Sequence, residues 1–235
     1  MTNAYVWLLV RDDSYFPGII TSIYSTYLTS TPHEFVLMIS DHITLNDHQL
    51  ALLNSLDVRI IPVKELSPIY ATKLHIYNLT DYEKIIFLDA DTIVLRSIDH
   101  LFDNLPIDKL LTPRNPFFHS TIPIASLLVM SPSVETYNRL IASFPKYTVY
   151  PNTDELTLLD CISDISYLPL SYCFDPNFPL QEYPFILHFT KIKPWNLNEL
   201  NIDPGKKRTF YRDTYYNNSA LNLWRQLYKF VTKQI

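Results

Sequence analysis

The run Ile85-Ile86-Phe87-Leu88 is apolar at four consecutive positions and then stops on two carboxylates, Asp89 and Asp91, with only Ala90 between them. Such a run reads as a buried strand. Side chains on a strand alternate between its faces, so Asp89 and Asp91 point the same way and Ala90 points oppositely. Two acids at the carboxyl end of a buried strand repel each other unless a cation sits between them. That end is also where open α/β sheets hold their ligands. Carboxylate oxygens favour Mg²⁺ or Mn²⁺, usually shared with substrate phosphates. Taken by itself, the Asp-x-Asp triplet fits a solvated turn better, because Asp is common where strands end.

The surrounding pattern fixes the class. Tyr5–Val10, Phe35–Ile39, Val58–Val63 and Lys84–Leu88 are rich in β-branched and aromatic residues and read as strands. Between them, Pro17–Leu28, Asn46–Leu56 and Thr72–Leu79 carry helical spacing, with Asn46 as an N-cap. Strand and helix in alternation predict an α/β fold, with a mostly parallel sheet and helices on both faces. The second half is less regular. Leu127–Met130 and Pro184–Phe189 read as strands, while Ser133–Phe144, Thr153–Ile162 and Tyr216–Val231 read as helices.

Composition narrows the function. At 235 residues, 47% hydrophobic and 18% charged, the chain suits one ordered domain, and no repeat or linker divides it. Two glycines, Gly18 and Gly205, leave no glycine-rich phosphate loop, which excludes the P-loop and dinucleotide fingerprints. Any phosphate must then be met by metal and lysine. A net charge of −5 argues against nucleic acid as a partner. Cys161 and Cys173 are expected to be reduced thiols. With no signal peptide and no apolar run of membrane-spanning length, a cytoplasmic protein without membrane contact is expected.

The segment from Ala71 to Asp103, ATKLHIYNLTDYEKIIFLDADTIVLRSIDHLFD, closely resembles the core of the glycogenin-like family 8 glycosyltransferases. The matching residues are Thr72-Lys73-Leu74, Tyr82, Phe87, Asp89-Ala90-Asp91-Thr92, Val94-Leu95, Ile98-Asp99 and Leu101-Phe102. The resemblance implies a single GT-A-type, Rossmann-like nucleotide-sugar-binding domain over residues 1–235. In it, 1–105 form the nucleotide and metal half, 106–200 the sugar and acceptor half, and 201–235 a helical tail. It further implies a retaining, metal-dependent hexosyltransferase using a UDP-sugar, UDP-glucose first, with Mn²⁺ as the cofactor and Mg²⁺ as the alternative.

Residue roles follow from the same resemblance. Asp89 and Asp91 are expected to bind the metal with His188, which precedes Lys193-Pro194-Trp195 as in the family's closing motif. A lone histidine at a strand end is otherwise more often a core residue. Lys193 is assigned to the diphosphate, and Lys73 to phosphate and donor sugar. Leu9, Arg11, Asp12 and Tyr15 match the family's base-binding segment, with Tyr15 stacking on uracil. The alternative for Tyr15 is packing at a helix start, and both remain open. Lys64 falls at a nucleotide-contacting position and is equally compatible with a solvated charge. Ala90 and Ser126 complete the donor contacts, and Asp154 and Glu155 join Lys73 as catalytic candidates.

The resemblance weakens at the sugar end. Ile124-Ala125-Ser126 stand where the family has N-S-G, and Glu155 replaces a glutamine. Pro151 replaces an aspartate, and the glycine after the closing histidine is missing. A lost polar partner shifts sugar discrimination strongly. Glycogenin glucosylates its own tyrosine; here Tyr172 and Tyr183 are candidates by position, with a homodimer as one way to reach them. The alternatives are a separate sugar, polyol or protein acceptor, as in galactinol-synthase-like enzymes, or a catalytically silent nucleotide-sugar binder.

Overall fold

The computed structural model describes residues 2–103, 109–114, 122–176, 183–190, 193–195 and 218–233. The first half follows the predicted alternation: β1 (Thr2–Leu9), α1 (Phe16–Tyr27), β2 (Glu34–Ser40), α2 (Asp47–Ser55), β3 (Val58–Val63) and β4 (Tyr82–Leu88). Then come β5 (Thr92–Val94), α3 (His100–Asp103), β6 (Leu110–Pro113), β7 (Leu127–Met130) and α4 (Val134–Ser143). They are followed by α5 (Thr153–Cys161), β8 (Ile165–Leu168), β9 (Ile186–His188) and α6 (Asn218–Thr232). The segment expected as a helix over Thr72–Leu79 is a 3-10 helix spanning Ile69–Asn78. It buries Ala71, Thr72, Lys73, Leu74, Ile76 and Tyr77, so it presents no single apolar stripe to select the α period. Gly205 and Tyr216, named above, lie outside the described residues.

Seven strands form the main sheet in the order β3-β2-β1-β4-β7-β6-β8. The first four are mutually parallel, β7 is antiparallel to both β4 and β6, and β8 is parallel to β6. The reversal at β7 matters for the site. Because Leu88 pairs with Leu127, the start of β7 lies beside the carboxyl end of β4, and residues 125–126 meet Asp89 there.

The period of two sorts each strand between two cores. Tyr5, Trp7 and Leu9 of β1, with Ile86 and Leu88 of β4, face α1 and α2. Ala4 and Val6, with Ile85 and Phe87, face the 3-10 helix, α4 and α5. Helices therefore cover both faces, as the alternation predicts. A third cluster joins Ile93 and Leu187 of the small antiparallel β5/β9 pair, and Phe189 just after it, to Ala220, Leu221 and Trp224 of α6. Both cysteines are free thiols. No helix among the described residues is long and apolar enough to cross a membrane.

Candidate active site

The site is built on the turn after β4. The Asp89 N–H donates to the Ser126 carbonyl at 2.9 Å, and the Thr92 N–H donates back to the Asp89 carbonyl at 3.3 Å. A buried relay locks this turn from below. Trp7 Nε1 donates to Ser22 Oγ (2.8 Å), Ser22 Oγ lies 2.9 Å from Thr92 Oγ1, and Thr92 Oγ1 donates to the Asp89 carbonyl (2.8 Å). Ser22 is fully buried on α1, and Ser25 beside it accepts the Val94 N–H at 2.9 Å. Sequence reasoning passed over these serines. The signal available was a polar stripe, Thr21-Ser22 and Ser25-Thr26, on a helix with apolar residues on its other positions.

The strand pair β5/β9 brings the third ligand candidate across. Thr92 is in register with His188, and the Phe189 N–H donates to the Asp91 carbonyl at 2.8 Å. Asp89, Asp91 and His188 thereby offer two carboxylate oxygens and one imidazole nitrogen, all within 4.8 Å of one another. His188 Nε2 lies 3.2 Å from Asp91 Oδ1. Hard oxygen donors with one imidazole, at this spacing, fit a divalent cation.

Two lysines flank the acids. Lys193 Nζ pairs with Asp91 Oδ2 and donates to the carbonyls of Phe189 (2.8 Å) and Thr190 (3.2 Å). Lys73 Nζ, buried, lies 3.0 Å from Asp89 Oδ1 and 3.2 Å from Asp154 Oδ2, and donates to the Ala125 carbonyl at 2.7 Å. It thus ties the turn after β4 to the first turn of α5. Burial opposes the charge of the Lys73 ammonium, but Asp89 and Asp154 more than offset it and raise its pKa. Burial likewise works against an ionised Asp91, yet His188 and Lys193 hold its carboxyl well below the usual carboxylate range. Asp89 is raised, by burial first and then by Asp91, with Lys73 opposing. His188 is raised well above the usual imidazole value, because Asp91 and Cys173 outweigh its burial. Without a bound cation, three carboxylates here face three basic groups.

The remaining candidates are unequally placed. Asp154 is buried against Lys73. Glu155 is half-buried, 3.4 Å from the Ala125 N–H, and burial with Asp154 next to it pushes its carboxyl up to about 7. Ser126 is buried and holds Asp89 through its carbonyl. Leu9 is fully buried in the core, so only its backbone faces the edge of the sheet. Arg11 is exposed with φ 70, inside a γ-turn closed by the Asp12 N–H on the Val10 carbonyl at 2.9 Å. Glu65 Oε2 braces that turn by accepting the Arg11 N–H at 2.9 Å. Asp12 is exposed and accepts the Ser14 N–H at 2.9 Å. Lys64 is exposed, and what the fold uses is its carbonyl, 2.9 Å from His75 Nε2.

Tyr15 is joined to the turn after β4 by packing. Its ring meets Trp195 edge-on with centroids 5.3 Å apart. Gly18 lies beneath both groups: a Cβ there would stand 2.5 Å from the Ala90 carbonyl oxygen and 2.5 Å from Trp195 Cη2. Only glycine permits this approach. The two acceptor candidates differ in exposure. Tyr172 is stacked on Phe185 at 4.5 Å with its hydroxyl 2.7 Å from His100 Nε2, and Tyr183 is 88% exposed.

No protein-family model matches the sequence. Among curated proteins, glycogenin-1 of Oryctolagus cuniculus is 29% identical over 67% of this chain and 51% of its own length. Glycogenin-1 of Homo sapiens is 33% identical over 58% of this chain and 41% of its own length. The UDP-glucuronate:xylan alpha-glucuronosyltransferase 2 of Arabidopsis thaliana is 29% identical over 65% of this chain and 26% of its own length. The chain spans about half the length, or less, of these relatives. Among solved structures, the glycosyltransferase GlyE of Streptococcus pneumoniae TIGR4 superposes with a TM-score of 0.70 at 18% identity, over 100% of this chain and 63% of its own. The galactosyltransferase LgtC superposes with a TM-score of 0.68 at 15% identity, over 96% and 95% of the two chains. In sequence the chain is similar to glycogenin-1 and related family 8 glycosyltransferases, and its fold is the GT-A glycosyltransferase fold.

Proposed function

We propose that the chain is a metal-dependent hexosyltransferase that takes a sugar from a UDP-sugar, UDP-glucose first, and passes it to an acceptor hydroxyl with retention of configuration. The observation that carries this reading is the meeting of Asp89, Asp91 and His188 within 4.8 Å at the carboxyl edge of the sheet. These three would hold Mn²⁺, or Mg²⁺ in its place. The ion supplies charge neutralisation for the departing diphosphate. Lys193 now rests on Asp91 and two carbonyls, and would transfer its N–H donors to a diphosphate oxygen as the nucleotide binds. Lys73 fixes Asp154 and Asp89 relative to each other, so the sugar side and the metal side keep one geometry. Tyr15, half-open against Trp195, offers a ring face to the base.

A separate acceptor fits the geometry better than self-glucosylation at Tyr172. Successive residues Tyr172 and Cys173 face opposite ways, the thiol toward His188 and the phenol toward His100. Tyr183, 88% exposed, is the other tyrosine singled out by position and is open to a second copy. The test is UDP release from a panel of UDP-sugars with Mn²⁺, with and without EDTA, followed by intact mass. Turnover with UDP-glucose that stops in EDTA and in Asp91→Asn is expected. Undiminished turnover in EDTA by Asp91→Asn would overturn the assignment. A mass increase in steps of one hexose would restore the self-acceptor.

A further inference from the structure

The geometry points to Cys173 as a positioning residue of the metal site, whose thiol sets the tautomer and ring orientation of His188. This rests on the metal reading above. Cys173 is 8% exposed and follows the short 3-10 turn Leu170–Tyr172. Its Sγ lies 3.3 Å from His188 Nδ1 and 3.1 Å from Ser126 Oγ. Ser126, in turn, accepts the Asp89 N–H through its carbonyl. The path Asp89–Ser126–Cys173–His188–Asp91 therefore runs round the three ligand candidates and joins the β4 turn to β9. Backbone bonds hold the sulfur in place. The Phe174 N–H donates to the Ile186 carbonyl at 3.0 Å, and the His188 N–H donates to the Phe174 carbonyl at 2.8 Å.

The chemistry gives that contact a task. A neutral imidazole carries one N–H, and only the form protonated at Nδ1 leaves a lone pair on Nε2 for a cation. The competing form, protonated at Nε2, is favoured by Asp91 Oδ1 at 3.2 Å. An acceptor at Nδ1 opposes it. With the Nδ1–H donating to Sγ, the thiol hydrogen is directed to Ser126 Oγ, and each member of the chain has a partner. Cys161, the other cysteine, is elsewhere, with its sulfur 3.7 Å from the Arg139 carbonyl. Nothing in the spacing of Cys173 from the closing motif announces this role; the fold creates it.

Removing an outer partner of a metal-bound histidine typically weakens metal binding about 10–100-fold. The experiment is Mn²⁺ titration, with free ion read by electron paramagnetic resonance, of the full chain and its Cys173→Ala, Cys173→Val and Cys173→Ser variants. Melting of the metal-free proteins is followed in parallel. Ala and Val should each lose about 10–100-fold in Mn²⁺ affinity, and Ser, which keeps a donor and an acceptor, should recover most of it. Val fills the space with apolar atoms, though it is somewhat larger than Cys, and decides the matter if Ala fails to fold. Mn²⁺ affinity unchanged in a folded Ala or Val variant overturns the inference. So does a Ser variant as weak as Ala, which would mean that packing alone is at stake. A native chain that takes up no Mn²⁺ would instead remove the metal reading itself.

Discussion

At the scale of single residues, the site is a set of charges held close by burial, and Glu155 is the member whose protonation is most exposed to test. Its carboxyl is pushed up to about 7 from the usual 4.5, first by burial and then by Asp154. Between these two values the folded chain holds a proton that the unfolded chain has released. Stability from this group therefore falls as pH rises from about 4.5 to about 7, and stays at the lower level above, by about 3 kcal/mol in all. Glu155→Gln should flatten that slope and be the more stable protein at pH 8, as urea titrations at pH 5 and pH 8 would read. Parallel slopes in both proteins would mean that Glu155 titrates normally. Gly18 makes a second case. A methyl group there meets a carbonyl oxygen and an indole ring at 2.5 Å. Gly18→Ala should cost about 1–3 kcal/mol as overpacking, and should also weaken UDP binding in Mn²⁺, since Ala90 and Trp195 must shift. Unchanged melting and UDP affinity would show that the neighbours yield freely.

At the scale of elements, strongly patterned segments were legible, the four-residue apolar β7 among them, and the short β5, β6 and β8 were not. β3 and β7 fall at their expected limits, and α2 begins behind Asn46 as its capping residue. The cap is a full box, with Asn46 and Gln49 exchanging side-chain and backbone bonds at 2.9 Å each way. Gln49 Nε2 also donates to Asp13 Oδ2 at 3.2 Å, so this helix start supports the loop that carries Tyr15. Asn46→Ala should cost about 1 kcal/mol, and Asn46→Ala with Gln49→Ala should cost less than the sum of the two, because the box acts as a unit. Strict additivity in urea midpoints would contradict that. What the sequence left unread are β5, β6 and β8, strands of three or four residues. Over so few positions no period can be established, and only their partners define them. β5 exists because β9 lies against it, with Thr92 beside His188, Ile93 beside Leu187 and Val94 beside Ile186.

At the scale of the whole molecule, Asp89, Asp91 and His188 could be singled out from the sequence because they sit in dense motifs, and the fold brings them within 4.8 Å of one another, whereas the Ser22 relay and Cys173 depend on which distant segments meet. The β5/β9 pair makes the point most sharply. It carries His188, yet it consists of three rungs, Thr92 with His188, Ile93 with Leu187 and Val94 with Ile186. A ladder that short has little stability of its own. Its apolar side rests on Ala220, Leu221 and Trp224 of α6, and Trp224 also packs against Trp195 with centroids 5.7 Å apart. The helix and the strand that carries His188 are therefore expected to open together. On the reading proposed above, binding at His188 and Lys193 would raise the cost of that opening. Amide hydrogens of α6 should exchange more slowly with solvent deuterium when Mn²⁺ and UDP are added, although the helix supplies no ligand. Exchange in α6 that is indifferent to both would mean that strand and helix come apart independently. If it slows, the C-terminal helix is a reporter of donor occupancy, readable at a distance from the nucleotide.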